Sequence, residues 1–219
     1  MYLLILVLSS IAIIAAWFRD FRIYAGGDTG LPIYSPSIIF SIVQHAWWSG
    51  QGTGFSYPGV LSSLPYYSVL VIIEKTGIGP VGIQATFFFI CLLLSTFGMY
   101  FFVKTLSKNK RVAFFATIFY IVNPYSMINI WHRGSYPGIE MMFIVPWTLY
   151  FIYKGLTKGR ILYSSILAFI SIFFAHAFNA PAFIATWWFL IVSFWIYLFF
   201  TSAKKKSEKR FYILLPMSS

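Results

Sequence analysis

Residues 161–203, ILYSSILAFISIFFAHAFNAPAFIATWWFLIVSFWIYLFFTSA, run for 43 positions without a charge. A helix needs about 20 apolar residues to cross the hydrocarbon of a bilayer, so this stretch is long enough for two crossings. The polar break His176-Ala177-Phe178-Asn179-Ala180-Pro181 lies where a turn between them would fall. Two helices are therefore predicted here, with lipid as their solvent.

Working outward, the same test selects Tyr2–Phe18, Val81–Val103 and Val112–Trp131. A further span, about Ile139 to Tyr153, opens with Glu140 near its polar end. Six spans result, with a seventh starting at Phe211. The expected fold class is an all-α integral membrane protein of about six to seven transmembrane helices. The whole chain, 1–219, reads as one transmembrane domain: a loop at 19–80, five spans over 81–203, and the start of another helix at 211–219. Because that last run stops part-way, a longer parent protein is expected.

Composition agrees. Hydrophobic residues make up 59% of the chain and charged ones only 10%, with a mean hydropathy of +0.79, which leaves too little polar surface to cover a water-soluble globule. Aromatic residues reach 22%, many at the ends of apolar runs, where rings anchor at a membrane interface. The net charge of +11 does not point to nucleic acid, because the 16 basic residues gather in short loops between apolar runs. A single cysteine, Cys91, rules out an intrachain disulfide. The first run lacks the basic start of a secretory signal and is read as a retained helix.

Val60–Ile73 decides the topology. It is short, interrupted by Pro65 and followed by Glu74-Lys75, so it reads as a juxtamembrane helix, with a second one at Pro36–Trp48 in the same external loop. Twelve of the 16 basic residues then share one side: Lys104, Lys108, Lys110 and Arg111; Lys154, Lys158 and Arg160; Lys204, Lys205, Lys206, Lys209 and Arg210. Arg19, Arg22, Lys75 and Arg133 fall on the other side. Positive-inside bias places a multi-pass chain in the cell membrane with a cytoplasmic amino terminus and residues 19–80 outside. The alternative, in which Val60–Ile73 spans, puts the amino terminus outside and makes the 19–80 loop cytoplasmic.

Only five acidic residues exist, Asp20, Asp28, Glu74, Glu140 and Glu208, which narrows any acid–base chemistry sharply. Asp28 sits in Gly26-Gly27-Asp28-Thr29-Gly30, where glycines allow close backbone approach and an accessible carboxylate. It is either a general base or metal ligand, or a turn residue bonded to its own backbone. Glu140 near a membrane face requires a partner or a water-filled cavity. Arg133 and His132 precede it, and this group is either an interfacial cluster or a cationic site for a lipid-linked phosphate. His176 and Asn179 lie in the next external turn and His45 on the first juxtamembrane helix; three dispersed histidines make a poor metal signature.

The order of features resembles the amino-terminal part of the GT-C superfamily of membrane glycosyltransferases. It is most similar to alpha-(1->3)-arabinofuranosyltransferase-like and 6-pyruvoyl-tetrahydropterin synthase-related membrane proteins. The residues that carry the resemblance are Gly26-Gly27-Asp28-Thr29; Trp48-Ser49-Gly50-Gln51-Gly52-Thr53-Gly54-Phe55 with Tyr57-Pro58; Leu64-Pro65-Tyr66; Asn123-Pro124-Tyr125; and Glu140 with Val145-Pro146-Trp147. The likeness implies a carboxylate on the first external loop that activates the acceptor hydroxyl or binds a divalent metal, and Asp28 is the matching position. It implies a polyprenyl-phosphate sugar donor and an envelope glycan, lipid or protein acceptor. Arg133, His132, Glu140 and His176 are the residues placed to bind them. No Asp-x-Asp or Asp-Glu pair stands beside Asp28, so no metal site is assigned and the cofactor stays open.

The leading expectation is thus an inverting glycosyl transfer on the extracytoplasmic face, with Asp28 as base. A transporter or flippase would call for charges within the spans, which are nearly charge-free. A non-catalytic assembly subunit is the third reading.

Overall fold

Pro36, Pro80, Pro124 and Pro181 each open a helix, the position where a missing N–H costs nothing and a fixed φ helps. The computed structural model describes residues 1–23, 35–45, 47–48, 55–56, 58–131, 136–178 and 181–204. The helices are α1 (Tyr2–Trp17), α2 (Pro36–Val43), α3 (Leu64–Glu74), α4 (Pro80–Ser107), α5 (Lys110–Val122), α6 (Pro124–Trp131), α7 (Tyr136–Lys158), α8 (Ile161–Phe173) and α9 (Pro181–Lys204). Short 3₁₀ turns, Pro58–Ser63 and Ala175–Phe178, precede α3 and α9. The described residues are otherwise all-helical apart from a two-residue antiparallel ladder, Trp47–Trp48 with Phe55–Ser56.

Three sequence expectations shift in detail. The run Val112–Trp131 is two helices, because Asn123 is extended and Pro124 starts afresh; the Asn123 side chain accepts from the Ser126 N–H at 3.0 Å and so caps α6. The first juxtamembrane helix stops at Val43, and Trp47–Trp48 enter the ladder. The second is a 3₁₀ turn followed by the 11-residue α3. These two helices run antiparallel, and the Glu74 carboxylate at the end of α3 accepts the Ser37 N–H at 3.0 Å, and the Ser37 hydroxyl, in the first turn of α2. A carboxylate there satisfies a free N–H and complements the helix dipole. The break before Pro181 falls where the sequence placed it.

The 28-residue α4 is the axis on which α1, α3, α5 and α7 pack. Where α7 crosses it, Gly98 lacks the Cβ that would stand 2.9 Å from Trp147 Nε1. That indole fits the notch and donates to the Leu94 carbonyl at 3.0 Å. On the α1 side, the Ser10 and Thr96 hydroxyls lie 3.4 Å apart. Small and hydroxylated residues thus set the close contacts, as in helices that associate without a hydrophobic driving force.

Pro146 lies inside α7 and leaves the Met142 carbonyl without its helical donor. Tyr120 of α5 supplies one, its hydroxyl donating to Met142 O at 2.7 Å. Tyr120→Phe is expected to leave that carbonyl unsatisfied and to cost about 1–3 kcal/mol. Thermal unfolding in detergent measures this; an unchanged midpoint would mean the carbonyl finds another partner.

The helices bring like ends together. Leu6 near the start of α1 is buried with Tyr100 and Ala113, and the Tyr2 ring lies 5.2 Å from Phe114. The amino terminus therefore sits where α4 ends and α5 begins, beside Lys104, Lys108, Lys110 and Arg111. α7 and α9 run in the same direction as α4, with Phe102, Phe194 and Leu198 buried together. Their basic carboxy-terminal ends share that end of the bundle. At the opposite end lie Trp17, Phe18, α3, the start of α7 and the turn before α9.

Among the described residues, two helices are long and apolar enough to cross a membrane, Pro80–Ser107 and Pro181–Phe200. α1, α8 and the 61–74 helix are apolar but shorter. Along α9, Trp188, Phe189, Ile196, Phe199 and Phe200 are all exposed, and α8 buries none of its residues.

Candidate functional site

Glu140 belongs to the second turn of α7, and His176 to the 3₁₀ turn between α8 and α9. Both are brought into the large apolar cluster at the end remote from the basic loops around 104–111 and 154–160. His176 Nδ1 lies 3.1 Å from Glu140 Oε2, with 3% of the imidazole and none of the carboxylate exposed. A buried carboxylate is tolerated only when paired and hydrogen-bonded, and the pairing fixes which imidazole nitrogen faces Glu140.

Aromatic rings build the walls. The Tyr66 ring of α3 stacks on His176, with centroids 4.5 Å apart and planes inclined by 14°. Tyr66 also meets Tyr67 and Phe87 edge-on at 4.9 and 5.2 Å. Tyr136, at the first position of α7, receives a hydrogen bond from the Gln84 side-chain amide at 2.6 Å. The Tyr66 and Tyr136 rings themselves lie 6.2 Å apart, with Gln84 on the first turns of α4 holding the second of them.

The cluster is not internally satisfied. Among the described residues, Ser63 Oγ, Tyr66 OH and Glu140 Oε1 are buried with no hydrogen-bond partner. Leaving one buried polar group unpaired costs about 1–3 kcal/mol, so three of them in the elements that meet at His176 mark a polar spot inside an apolar wall. Burial pushes the Tyr66 hydroxyl well above the usual tyrosine value, helped by the neighbouring Tyr67 and Tyr136, so it remains a protonated donor at neutral pH.

Of the residues singled out from sequence, Glu140 and His176 come together. Asp28, His132 and Arg133 lie outside the described residues. The segments leading to them are anchored at this end of the bundle: Trp17 and Phe18, which precede residues 24–34, share the apolar cluster with Tyr136, which follows residues 132–135. Asp20 is exposed, 3.6 Å from Arg19, and His45 is exposed as well. Among the described residues no three His, Cys, Asp or Glu side chains gather closely enough to hold a metal.

Sequence reading missed Ser63, Gln84 and Tyr136, and met Tyr66 only as part of a pattern. Nothing in a hydroxyl or amide on an apolar helix announces what it will face. The signal that was available was Glu140, whose cost in an apolar run demands a partner, and His176 is the partner found.

Comparison with known protein families, with curated proteins and with solved structures finds no match for this chain.

Proposed function

We propose that the protein is a multi-pass membrane glycosyltransferase of the GT-C type, which transfers a sugar from a polyprenyl-phosphate donor on the extracytoplasmic face. The observation that carries this reading is the gathering, at the end away from the basic residues, of the Glu140–His176 pair and the anchors of the segments bearing Asp28 and Arg133. Asp28 acts as base on the acceptor hydroxyl. Arg133 and His132 serve to bind the lipid phosphate, for which a guanidinium matches oxyanion geometry. Glu140 and His176 hold each other, so they fix the start of α7 against the turn before α9 rather than reaching the donor.

The membrane part of the proposal draws on the apolar faces that α8 and α9 leave exposed, which water would penalise and lipid would not. The amino terminus shares an end with the basic residues, which favours an inside amino terminus over the arrangement in which Val60–Ile73 spans. In a Cys91→Ser background, a cysteine at Ser107 is expected to react with a membrane-impermeant thiol reagent only after the membrane is opened, and one at Thr53 in sealed cells. Labelling of Thr53 from the cytoplasm would overturn the orientation and the siting of Asp28.

The chemistry is tested by incubating membranes that contain the protein with a radiolabelled polyprenyl-phosphate sugar. Acceptor-dependent release of polyprenyl phosphate is expected, and Arg133→Ala should raise the donor concentration required while leaving acceptor dependence alone. A second reading, proton-coupled transport or lipid flipping, draws on the same buried Glu140–His176 pair, since intramembrane ionisable pairs mark proton relays. Solute or lipid movement without release of polyprenyl phosphate would favour it.

A further inference from the structure

At the basic end, opposite the Glu140–His176 pair, α7, α8 and α9 leave a groove of about 390 Å³. Phe151 and Leu156 of α7, Leu167 of α8 and Trp195 of α9 line it, and Arg160 and Ser164 supply its polar edge. We infer that this groove holds an acyl chain of an anionic phospholipid from the leaflet at the basic end, with the lipid phosphate on Arg160. The inference rests on the proposed membrane insertion and not on the glycosyl-transfer chemistry.

Three observations favour this occupant. The lining is apolar along the helices and turns basic only at the mouth, the distribution an amphiphile requires, and the volume is in the range of small-molecule sites. Arg160 is exposed and is the residue just before α8; its side chain makes no capping bond, so the Ile161 and Leu162 N–H groups and the guanidinium offer donors to one phosphate, the Tyr163 N–H being taken by the Arg160 carbonyl at 3.2 Å. The surroundings are cationic: Lys154 and Lys158 lie on the last turns of α7, and Lys204 ends α9. Basic pockets between helices on the cytoplasmic side recognise anionic headgroups for this reason. The residues that follow α9, Lys205, Lys206, Lys209 and Arg210, add positive charge with Glu208 as the single acid, so the chain's own continuation is a poorer match for Arg160 than a phosphate.

The full chain is reconstituted into vesicles of brominated phosphatidylglycerol or brominated phosphatidylcholine. Quenching of Trp195 is read as the difference between the wild type and Trp195→Phe. Phosphatidylglycerol is expected to quench Trp195 more strongly, and Arg160→Gln should reduce that preference about fivefold, the contribution of one basic residue near an anionic lipid. Gly155→Leu adds bulk to the groove at a position where a Cβ meets nothing nearer than 3.8 Å, and should remove the quenching. Equal quenching by both lipids, unchanged in Arg160→Gln, would reduce the lipid to ordinary solvent and overturn the proposal. Absence of quenching in an inserted protein overturns it too, because the chain itself then fills the groove. Protein stripped from the vesicles by alkaline carbonate instead overturns the membrane reading, and the groove's lipid with it.

Discussion

Glu140→Ala is expected to lower the unfolding free energy in detergent by about 3–5 kcal/mol, enough to leave little folded protein if the total is ordinary for a domain. The loss comes less from the missing bond than from what remains. His176 is 2% exposed and would face an apolar wall with its Nδ1 unpartnered, and the truncated side chain would leave a hole beside it. Glu140→Gln keeps an acceptor oxygen at 3.1 Å and should cost much less. The double replacement Glu140→Leu with His176→Leu removes both polar groups and should recover most of the stability, since buried pairs are often matched by apolar side chains of similar volume. Denaturant titration followed by circular dichroism reads all three. If Glu140→Ala proves as stable as Glu140→Gln, the two groups are not coupled and the site loses its central contact. If the double variant is as unstable as Glu140→Ala, the pair contributes more than mutual satisfaction.

Asp28→Asn is expected to reduce transfer from a polyprenyl-phosphate sugar by about 10²–10⁴-fold with folding and insertion intact, because it removes a base and almost no volume. Asp20→Asn serves as the control. It is exposed and lies 3.6 Å from Arg19, a surface contact worth little, so activity should be unchanged. A rate for Asp28→Asn within about tenfold of wild type, or about 1.4 kcal/mol in barrier, makes Asp28 a turn residue stabilised by its own backbone. Equal losses in Asp20→Asn and Asp28→Asn would point to the charge of the loop rather than to one carboxylate.

The apolar runs were legible in the sequence because helical backbone satisfies itself and leaves hydropathy to decide where a segment can sit. Hence the break at His176–Pro181, the start of α4, and the grouping of the amino terminus with the basic loops could be read from residue order alone, whereas α4 runs on past the uncharged stretch to Ser107. The split at Asn123-Pro124 was visible as a pair of breakers inside an uncharged run, but uniform apolarity hid that α5 and α6 are separate helices. Glu140 announced a need for a partner without naming it. Which residue answers it depends on how each helix is rotated about its own axis, and that is set by packing across 36 residues of sequence, where Gly98 admits Trp147 and Tyr120 reaches the carbonyl that Pro146 leaves free. Only that rotational register turned His176 toward Glu140 and laid Tyr66 across its face.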